Sequence, residues 1–292
     1  PIIEQNEKAC VMPMMSDTSV LAERDVSYVT QSIAPAKTYE KGAIKTAADN
    51  GASTMAVVYE DTAFPTSAAR GHIPYAEELG IEIVYDSAYP KNINDYTSVM
   101  NEVASEDPDI VMGGGYTPDA VGLTKAAKSV GFSAGIFAWL VGGQVPGYYE
   151  SVGADARAMT GDLFWAPWFE VPYNQAFTDG FMSKFGSEYE TASDVDYPSA
   201  GGYAGMLVME QAIRNVGSLD QAAIAEELHA LDMGVPFANG RYKVDDQGIQ
   251  TAQAPSTGQW QSAEEGDGLT REAIWPSDYA TADPIYPHPG WG

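Results

Sequence analysis

The sequence predicts an α/β fold built on parallel sheets, and three observations carry that prediction. Apolar runs too continuous for strands wetted on one face recur between residues 54 and 163, as strands covered on both faces require. Segments with helix caps and glycine stops lie between them, which is the alternation of βαβ units. No apolar run approaches the roughly 18–20 residues of a membrane span, and the longest, around residues 136–142, fits a buried strand.

Taken in order, Lys41 to Asn50 reads as a helix stopped by Gly51, and Thr54 to Tyr59 as the first strand of the alternation. Thr66 to Leu79 is helical in composition, with Pro74 expected to kink or shorten it, since proline lacks the N–H and crowds the preceding turn. Gly80 ends that helix and Ile81 to Tyr85 forms the next strand. Asn94 or Asp95 caps a helix running to about Ser105. Ile110-Val111-Met112 then leads into the triple glycine Gly113 to Gly115. Thr117-Pro118-Asp119 is a strong helix start, a hydroxyl followed by proline and an acid in the first turn. Ala120, Leu123 or Thr124, Ala127 and Val130 mark its buried stripe, and Gly131 ends it. Strands Ile136 to Leu140 and Ala158 to Leu163 bring the strands to five.

Beyond residue 164 the pattern changes. Asn174 to Phe185, Ala200 to Val216 and Leu219 to Leu231 read as helices. Asn239-Gly240 signals a hairpin turn between Val235–Phe237 and Arg241–Val244. Gln259-Trp260-Gln261 reads as another short strand. From Ser262 onward the chain is polar, then proline-rich, and is expected to pack as an extended tail on the surface.

Composition excludes several classes of function. The 292 residues carry 41 acidic and 15 basic side chains, a formal net charge of −26. Phosphate contact needs clustered lysine and arginine, so a generic nucleic-acid binder is excluded, and adhesion to anionic membranes is disfavoured equally. At 45% hydrophobic, 11% aromatic and 19% charged residues, the chain has the composition of a folded protein. The acidity reads either as a solubility device for saline or marine water or as that of an acidic secreted protein. A single cysteine, Cys10, excludes an intramolecular disulfide framework and a cysteine-rich metal site. The opening Pro1-Ile2-Ile3-Glu4-Gln5-Asn6 shows neither initiator methionine nor signal peptide and reads like the middle of a helix or loop, so the beginning of the protein is expected to be missing.

Catalytic motifs are scarce. Gly131-Phe132-Ser133-Ala134-Gly135 fits the spelling of a nucleophile elbow, but that chemistry needs a strand before the serine and a helix after it, and here the order is reversed. His72, His229 and His288 lack the paired spacing of a zinc protease. Asp194-x-Asp196 is not followed by the glycine and glutamate of a calcium loop, and Gly113 to Gly115 lacks dinucleotide-loop spacing and a neighbouring lysine. No catalytic residue, cofactor or metal is expected. What remains is a ligand cleft at the carboxyl ends of the strands. The residues collected there are Glu60 to Phe64, Tyr116, Trp139 with Gly142-Gly143, and Trp165 with Trp168, a set that is aromatic with few charges and suits a small organic ligand.

Several ordered segments resemble the type I periplasmic solute-binding proteins of ABC importers, the branched-chain amino-acid (leucine/isoleucine/valine) family. Met12 to Thr18 resembles that family's strand and ligand loop in the first lobe, and Met55 to Phe64 the first strand and turn of the second. Asn94-Asp95-Tyr96 through Asp107-Pro108-Asp109-Ile110-Val111 is similar to its acid–aromatic and Pro-Asp unit, and Gly114-Gly115-Tyr116 through Gly131 to the loop and helix that follow. Phe237 to Gly248, Gln259-Trp260-Gln261 and the tail from Trp275-Pro276 to Trp291 complete the likeness.

The resemblance implies two α/β lobes, each a parallel sheet flanked by helices, which close on a solute between them. Residues 1–35 and 190–250 would form the first lobe, and 36–189 with the 251–292 tail the second; the first lobe's opening elements are expected to be absent. It implies a non-enzymatic, periplasmic or extracytoplasmic subunit that takes a small amino acid, carboxylate or amide and partners a membrane permease, with no nucleic acid involved. A ligand-binding sensor or receptor domain of the same fold is the alternative. Carried over position by position, the ligand residues are Ser16 and Thr18 for the carboxylate, Phe64 and Tyr116 as aromatic walls, Trp139, and Tyr197 near the hinge. The stretch Ala138 to Gly143, where amino-acid binders of this family carry an acid for the ammonium, has none here. An amine-free ligand is therefore one expectation, and Asp61 or Asp119 supplying the charge is another.

Overall fold

The apolar runs that predict buried strands become neighbours in one sheet. In a computed structural model, residues 2–22, 26–263 and 268–291 are described; Pro1, of the opening segment, and Gly292 lie outside them. In chain order the strands are β1 (Cys10–Met12), β2 (Val29–Gln31), β3 (Thr54–Glu60), β4 (Glu82–Tyr89), β5 (Ile110–Gly114), β6 (Ile136–Ala138), β7 (Thr160–Leu163), β8 (Asp232–Gly234), β9 (Arg241–Lys243), β10 (Ser256–Ser262) and β11 (Leu269–Trp275). The helices are α1 (Ile2–Gln5), α2 (Ser19–Ala22), α3 (Lys41–Asp49), α4 (Ala63–Glu78), α5 (Thr97–Glu106), α6 (Thr117–Val130), α7 (Pro146–Val152), α8 (Asn174–Phe185), α9 (Tyr197–Val216) and α10 (Gln221–Ala230).

The chain divides into two compact units, residues 1–35 with 164–255, and residues 36–163 with 256–292. The second unit holds a seven-stranded sheet in the order β11-β10-β7-β6-β5-β3-β4. Strands β4, β3, β5, β6 and β7 run parallel, and β10 and β11 add antiparallel at the β7 side. Met55, Val57, Ile110, Met112, Ile136 and Ala138 form one core with Ile44, Ala47 and Ala69 of the flanking helices. Register between β3 and β5 is fastened by Asp109, whose Oδ2 accepts both the N–H groups and the hydroxyls of Ser53 and Thr54. Burial would push the Asp109 carboxyl up, but those four hydrogen bonds outweigh it and hold the group below its usual range. This gives the Pro-Asp-hydrophobic unit a structural role.

Several elements differ from the expectation. Helix α4 starts earlier, at Ala63, and runs through Pro74 without ending there, because burial of Ala68, Ala69, His72 and Ala76 outweighs one lost backbone hydrogen bond. Strand β6 stops at Ala138, and Leu140 turns into the left-handed region (φ 37°) to open a 3-10 turn over Leu140–Gln144. Ala158 has φ 66°, so β7 starts two residues later than its apolar run. The segment beyond Ser262 is not only a tail: β11 pairs with β10, and the prolines come after it. The tail is tied to the second unit by Ile285 N–H to Gln259 Oε1, His288 N–H to the Gly135 carbonyl and Trp291 Nε1 to the Phe132 carbonyl.

In the first unit β1 and β2 pair in parallel, and β8 and β9 form a separate antiparallel ribbon. The hairpin strand lies at Asp232–Gly234, not Val235–Phe237, because Ala238 and Gly240 both take positive φ and widen the turn. Residues 164–189, assigned to the second lobe from sequence, fall in the first unit. The reason is local: Phe164 stacks on Tyr197 and Phe237 (ring centroids 5.4 and 5.5 Å), Phe177 meets Tyr203 (5.2 Å), and Trp165 Nε1 donates to Asn174 Oδ1 (2.6 Å). The last crossing likewise falls after Pro255 and not after residue 250.

Candidate functional site

The strand order β4-β3-β5-β6-β7 reverses its direction of growth once, between β3 and β5. The loops leaving the carboxyl ends of two such strands part toward opposite faces of the sheet, which opens the crevice where small ligands bind in open parallel sheets. Phe64 and Tyr116 stand just after those two ends. Their rings lie 5.6 Å apart at 47°, and Tyr39 meets Phe64 edge-on at 5.8 Å. Phe64 is half-buried and Tyr116 is 48% exposed, so this aromatic pair has open surface to offer. Two glycines allow the loops to converge. A Cβ on Gly115 would lie 3.1 Å from Asp119 Oδ2, and one on Gly142 would lie 2.4 Å from the Tyr116 carbonyl oxygen.

Asp119, in the first turn of α6, is enclosed and fully used. Its Oδ1 accepts the hydroxyls of Tyr89 (3.0 Å) and Tyr96 (2.9 Å), and its Oδ2 accepts the Tyr116 N–H (2.8 Å). Burial first, and then the Asp119 charge, pushes both phenols well above their ordinary range, so they stay protonated donors. Asp119 therefore holds the Tyr116 loop, and three donors already occupy the oxygens that the sequence offered to a ligand ammonium. Asp61 is exposed. Glu60 is a second buried carboxylate at this edge (5% exposed), accepting the Thr62 hydroxyl at 2.8 Å.

Trp139 shares this unit but lies within its core. It is fully buried, packs on Phe137 (5.5 Å), and donates its indole N–H to Thr124 Oγ1 (2.9 Å), which is itself bonded to the Tyr148 hydroxyl (2.7 Å). Its backbone carbonyl accepts Gly143 N–H, so it braces the 3-10 turn beside Tyr116. In the first unit, Ser16 is buried and Thr18 half-buried in the loop between β1 and α2, where the Thr18 carbonyl accepts the N–H groups of Leu21 and Ala22. Tyr197 opens α9 with its ring stacked on Phe164, the residue at which the chain re-enters this unit. Trp165 also falls in the first unit and is fully buried, and the Asn174 that accepts its indole N–H donates to the carbonyls of Ala166, Pro167 and Phe169.

The structure does contain a Ser–His contact, Ser133 Oγ to His288 Nδ1 at 2.9 Å. It is a tail fastening. Nδ1 also receives the Gly290 N–H (3.1 Å), and a backbone hydrogen bond to Arg157 engages the ring as well. Burial lowers the imidazole to about 4, too weak a base to activate a serine at neutral pH. Ser133 also precedes β6, at the opposite end of the sheet from the carboxyl ends. Ser133→Ala should cost about 1 kcal/mol of stability, the net worth of one hydrogen bond, and leave ligand binding unchanged by calorimetry. Among the described residues no group of three His, Cys, Asp or Glu side chains is placed to hold a metal ion.

Residues 5–265 match the sequence profile of the family described as periplasmic binding protein. The chain belongs to that family. The chain is 28% identical over 228 residues to the Leu/Ile/Val-binding protein homolog 7 of Brucella abortus, covering 76% of this chain and 56% of that protein. It thus spans about half the length of the curated relatives it matches. A leucine-binding protein from Thermotoga maritima superposes with a TM-score of 0.75 at 22% identity, over 94% of this chain and 74% of that one. A solute-binding protein of an ABC transporter from R. palustris, in complex with 4-hydroxybenzoate, superposes with a TM-score of 0.74 at 16% identity, over 98% and 75%. The matched family and the relatives named here are described as binding proteins. Among the described residues no helix is long and apolar enough to cross a membrane.

Sequence reading missed one cluster. Glu40, His72 and Asp162 are buried together in the second unit, and the Glu40 carboxylate accepts the N–H of Leu140, inside the very stretch that carries no acid of its own. An acid just before a helix looks like an ordinary capping charge, so no local signal separates Glu40 from a solvated residue.

Proposed function

We propose that this periplasmic binding protein is the extracytoplasmic solute-binding subunit of an ABC importer, delivering a small amino acid, carboxylate or amide to a membrane permease. The observation that carries this reading is the Phe64–Tyr116 pair at the switch point of the parallel sheet, an apolar wall with accessible surface. The leucine-binding and 4-hydroxybenzoate-binding neighbours bind solutes whose apolar body such a wall would suit. Residues 1–35 with 164–255, and 36–163 with 256–292, are the proposed two lobes. Ser16 and Thr18 are the proposed carboxylate anchors, Tyr197 a hinge-side contact, and Trp139 a support of the ligand-side turn. Should the solute carry an amine, Glu60 is its partner, since Asp119 is engaged and no lysine or arginine pairs with Glu60 among the described residues.

Calorimetry tests this with branched and aromatic amino acids, their deaminated carboxylates and short amides, in low and molar salt. Phe64→Ala should weaken the solute that binds by about ten- to a hundredfold, in line with loss of an aromatic anchor. Equal loss of amino-acid and deaminated-acid binding in Glu60→Gln would remove Glu60 as the ammonium partner. A folded protein that binds nothing on the panel would favour the sensor alternative.

A further inference from the structure

Glu40 is 1% exposed and Asp162 2%, and both belong to the second unit. Glu40 precedes α3 in the left-handed conformation (φ 52°), and its backbone N–H donates to Asp162 Oδ1 at 2.8 Å. One Glu40 carboxyl oxygen accepts the Leu140 N–H; the other faces His72 Nε2 at 3.6 Å, beyond hydrogen-bonding distance. Glu40 Oε2, Asp162 Oδ2 and both His72 ring nitrogens are buried without a hydrogen-bond partner.

The other groups around the pair supply no cation paired with either carboxyl, although the Lys41 charge acts on His72. From α3 comes Lys41, whose Nζ lies over the Tyr75 ring at 4.8 Å. From α4 comes His72, which burial holds neutral, down to about 3. From β10 comes Thr257, the uncharged strand partner of Asp162, and from the 140–144 turn the Leu140 N–H. Among the described residues no lysine or arginine forms an ion pair with either carboxyl. Two enclosed carboxyls with no cation cannot both ionise without a large desolvation and repulsion cost.

Their place in the chain gives the pair a mechanical meaning. The chain passes between its two units after residues 35, 163 and 255. Glu40 lies just beyond the first passage, Asp162 just before the second, and Thr257, paired with Asp162, just after the third. We propose that Glu40 and Asp162 share one proton, and that this proton is a pH-sensitive fastener joining the second-unit roots of all three passages. With the proton present, the pair carries a single charge; on its loss two buried anions repel, and the Glu40 anchor of the Leu140 turn loosens.

The sign follows from the direction of each shift. Burial pushes Asp162 up to about 8, opposed by the Glu40 N–H, and burial together with the Asp162 charge pushes Glu40 well up. A carboxyl raised in the folded state contributes its stability fully below its unfolded value and loses it as pH rises through the folded one. The pair therefore costs stability between about pH 4 and somewhat above pH 8. His72 and His288 act oppositely, losing stability as pH falls from 6.5 toward about 3 and about 4, so they oppose the fall only at the low edge of a window of pH 6 to 9. Ordinary surface carboxylates are already ionised at pH 6.

The test is thermal unfolding of the whole protein from pH 6 to 9, with infrared detection of protonated carboxyl. Wild-type Tm should fall by at least about 3 °C across the window. Glu40→Gln, whose amide keeps an acceptor for the Leu140 N–H and removes one of the two charges, should lessen that fall, and the protonated-carboxyl band that remains, that of Asp162, should titrate at lower pH than the wild-type band. A flat wild-type profile with no such band overturns the proposal, as does a Gln variant that falls in parallel with wild type. Should that variant fail to fold, Asp162→Asn makes the same comparison, and the wild-type infrared titration decides the protonation by itself.

Discussion

Trp139→Ala should lower stability by about 3–5 kcal/mol, the range for truncating a buried tryptophan. At this chain length that corresponds to a Tm lower by roughly 6–15 °C, read by calorimetry. Three losses add up. The indole is wholly enclosed and leaves a cavity against Phe137. Its N–H no longer satisfies Thr124, whose hydroxyl is shared with the buried Tyr148. The 3-10 turn from Leu140 to Gln144, whose Gly143 N–H bonds the Trp139 carbonyl, loses the ring that anchors that residue. Trp139→Phe separates these effects: it keeps most of the ring and removes only the N–H, so it should cost about 1–2 kcal/mol. Under the supporting role proposed for Trp139, solute affinity in Trp139→Phe stays within about threefold of wild type, well under 1 kcal/mol. A tenfold loss without a change in Tm would restore Trp139 as a direct ligand contact.

The reading of Trp139 as a ligand residue and its place in the core share one cause. Sequence shows that an aromatic residue follows a strand, but not on which side of the turn its ring falls. Position along the chain was legible because it is local: the apolar runs at Thr54–Tyr59 and Ile110–Met112, the Thr117-Pro118-Asp119 start and the Gly131 stop all act within a few residues. That Phe64 and Tyr116 follow two strand ends was legible for the same reason, whereas their role as aromatic walls came from the family resemblance. What escaped depends on partners far apart in the chain. Glu40 and Asp162 meet across 122 positions, and nothing near either residue marks the other. Residues 164–189 joined the other unit through aromatic contacts with Tyr197, Tyr203 and Phe237, a choice of partner that helix periodicity does not encode. Strand β11 was missed because its alternation, with Thr270 and Glu272 among its polar positions, reads as a polar tail until β10 is beside it.

Asp119→Ala is expected to be about as damaging as the loss of Trp139, for an electrostatic reason. One carboxylate satisfies two enclosed phenols and the Tyr116 N–H, and removing it strands three donors at once. Hydrogen bonds to a charged group are worth about 1.5–3 kcal/mol each but are not additive within a network, so a total of roughly 3–5 kcal/mol is expected in denaturant unfolding. Asp119→Asn keeps one acceptor and fills the same volume, so it should cost less, about 1–3 kcal/mol. The two variants also decide what the carboxylate is for. As a positioning group for Tyr116, Asp119 should affect every bound solute alike, because the aromatic wall shifts whatever the solute's charge. As an ammonium partner, it would weaken amino acids in Asp119→Asn and leave their deaminated analogues untouched, with little change in stability. The three donors already occupying its oxygens favour the first pattern, and leave Glu60 as the carboxylate on that edge with capacity for a cation.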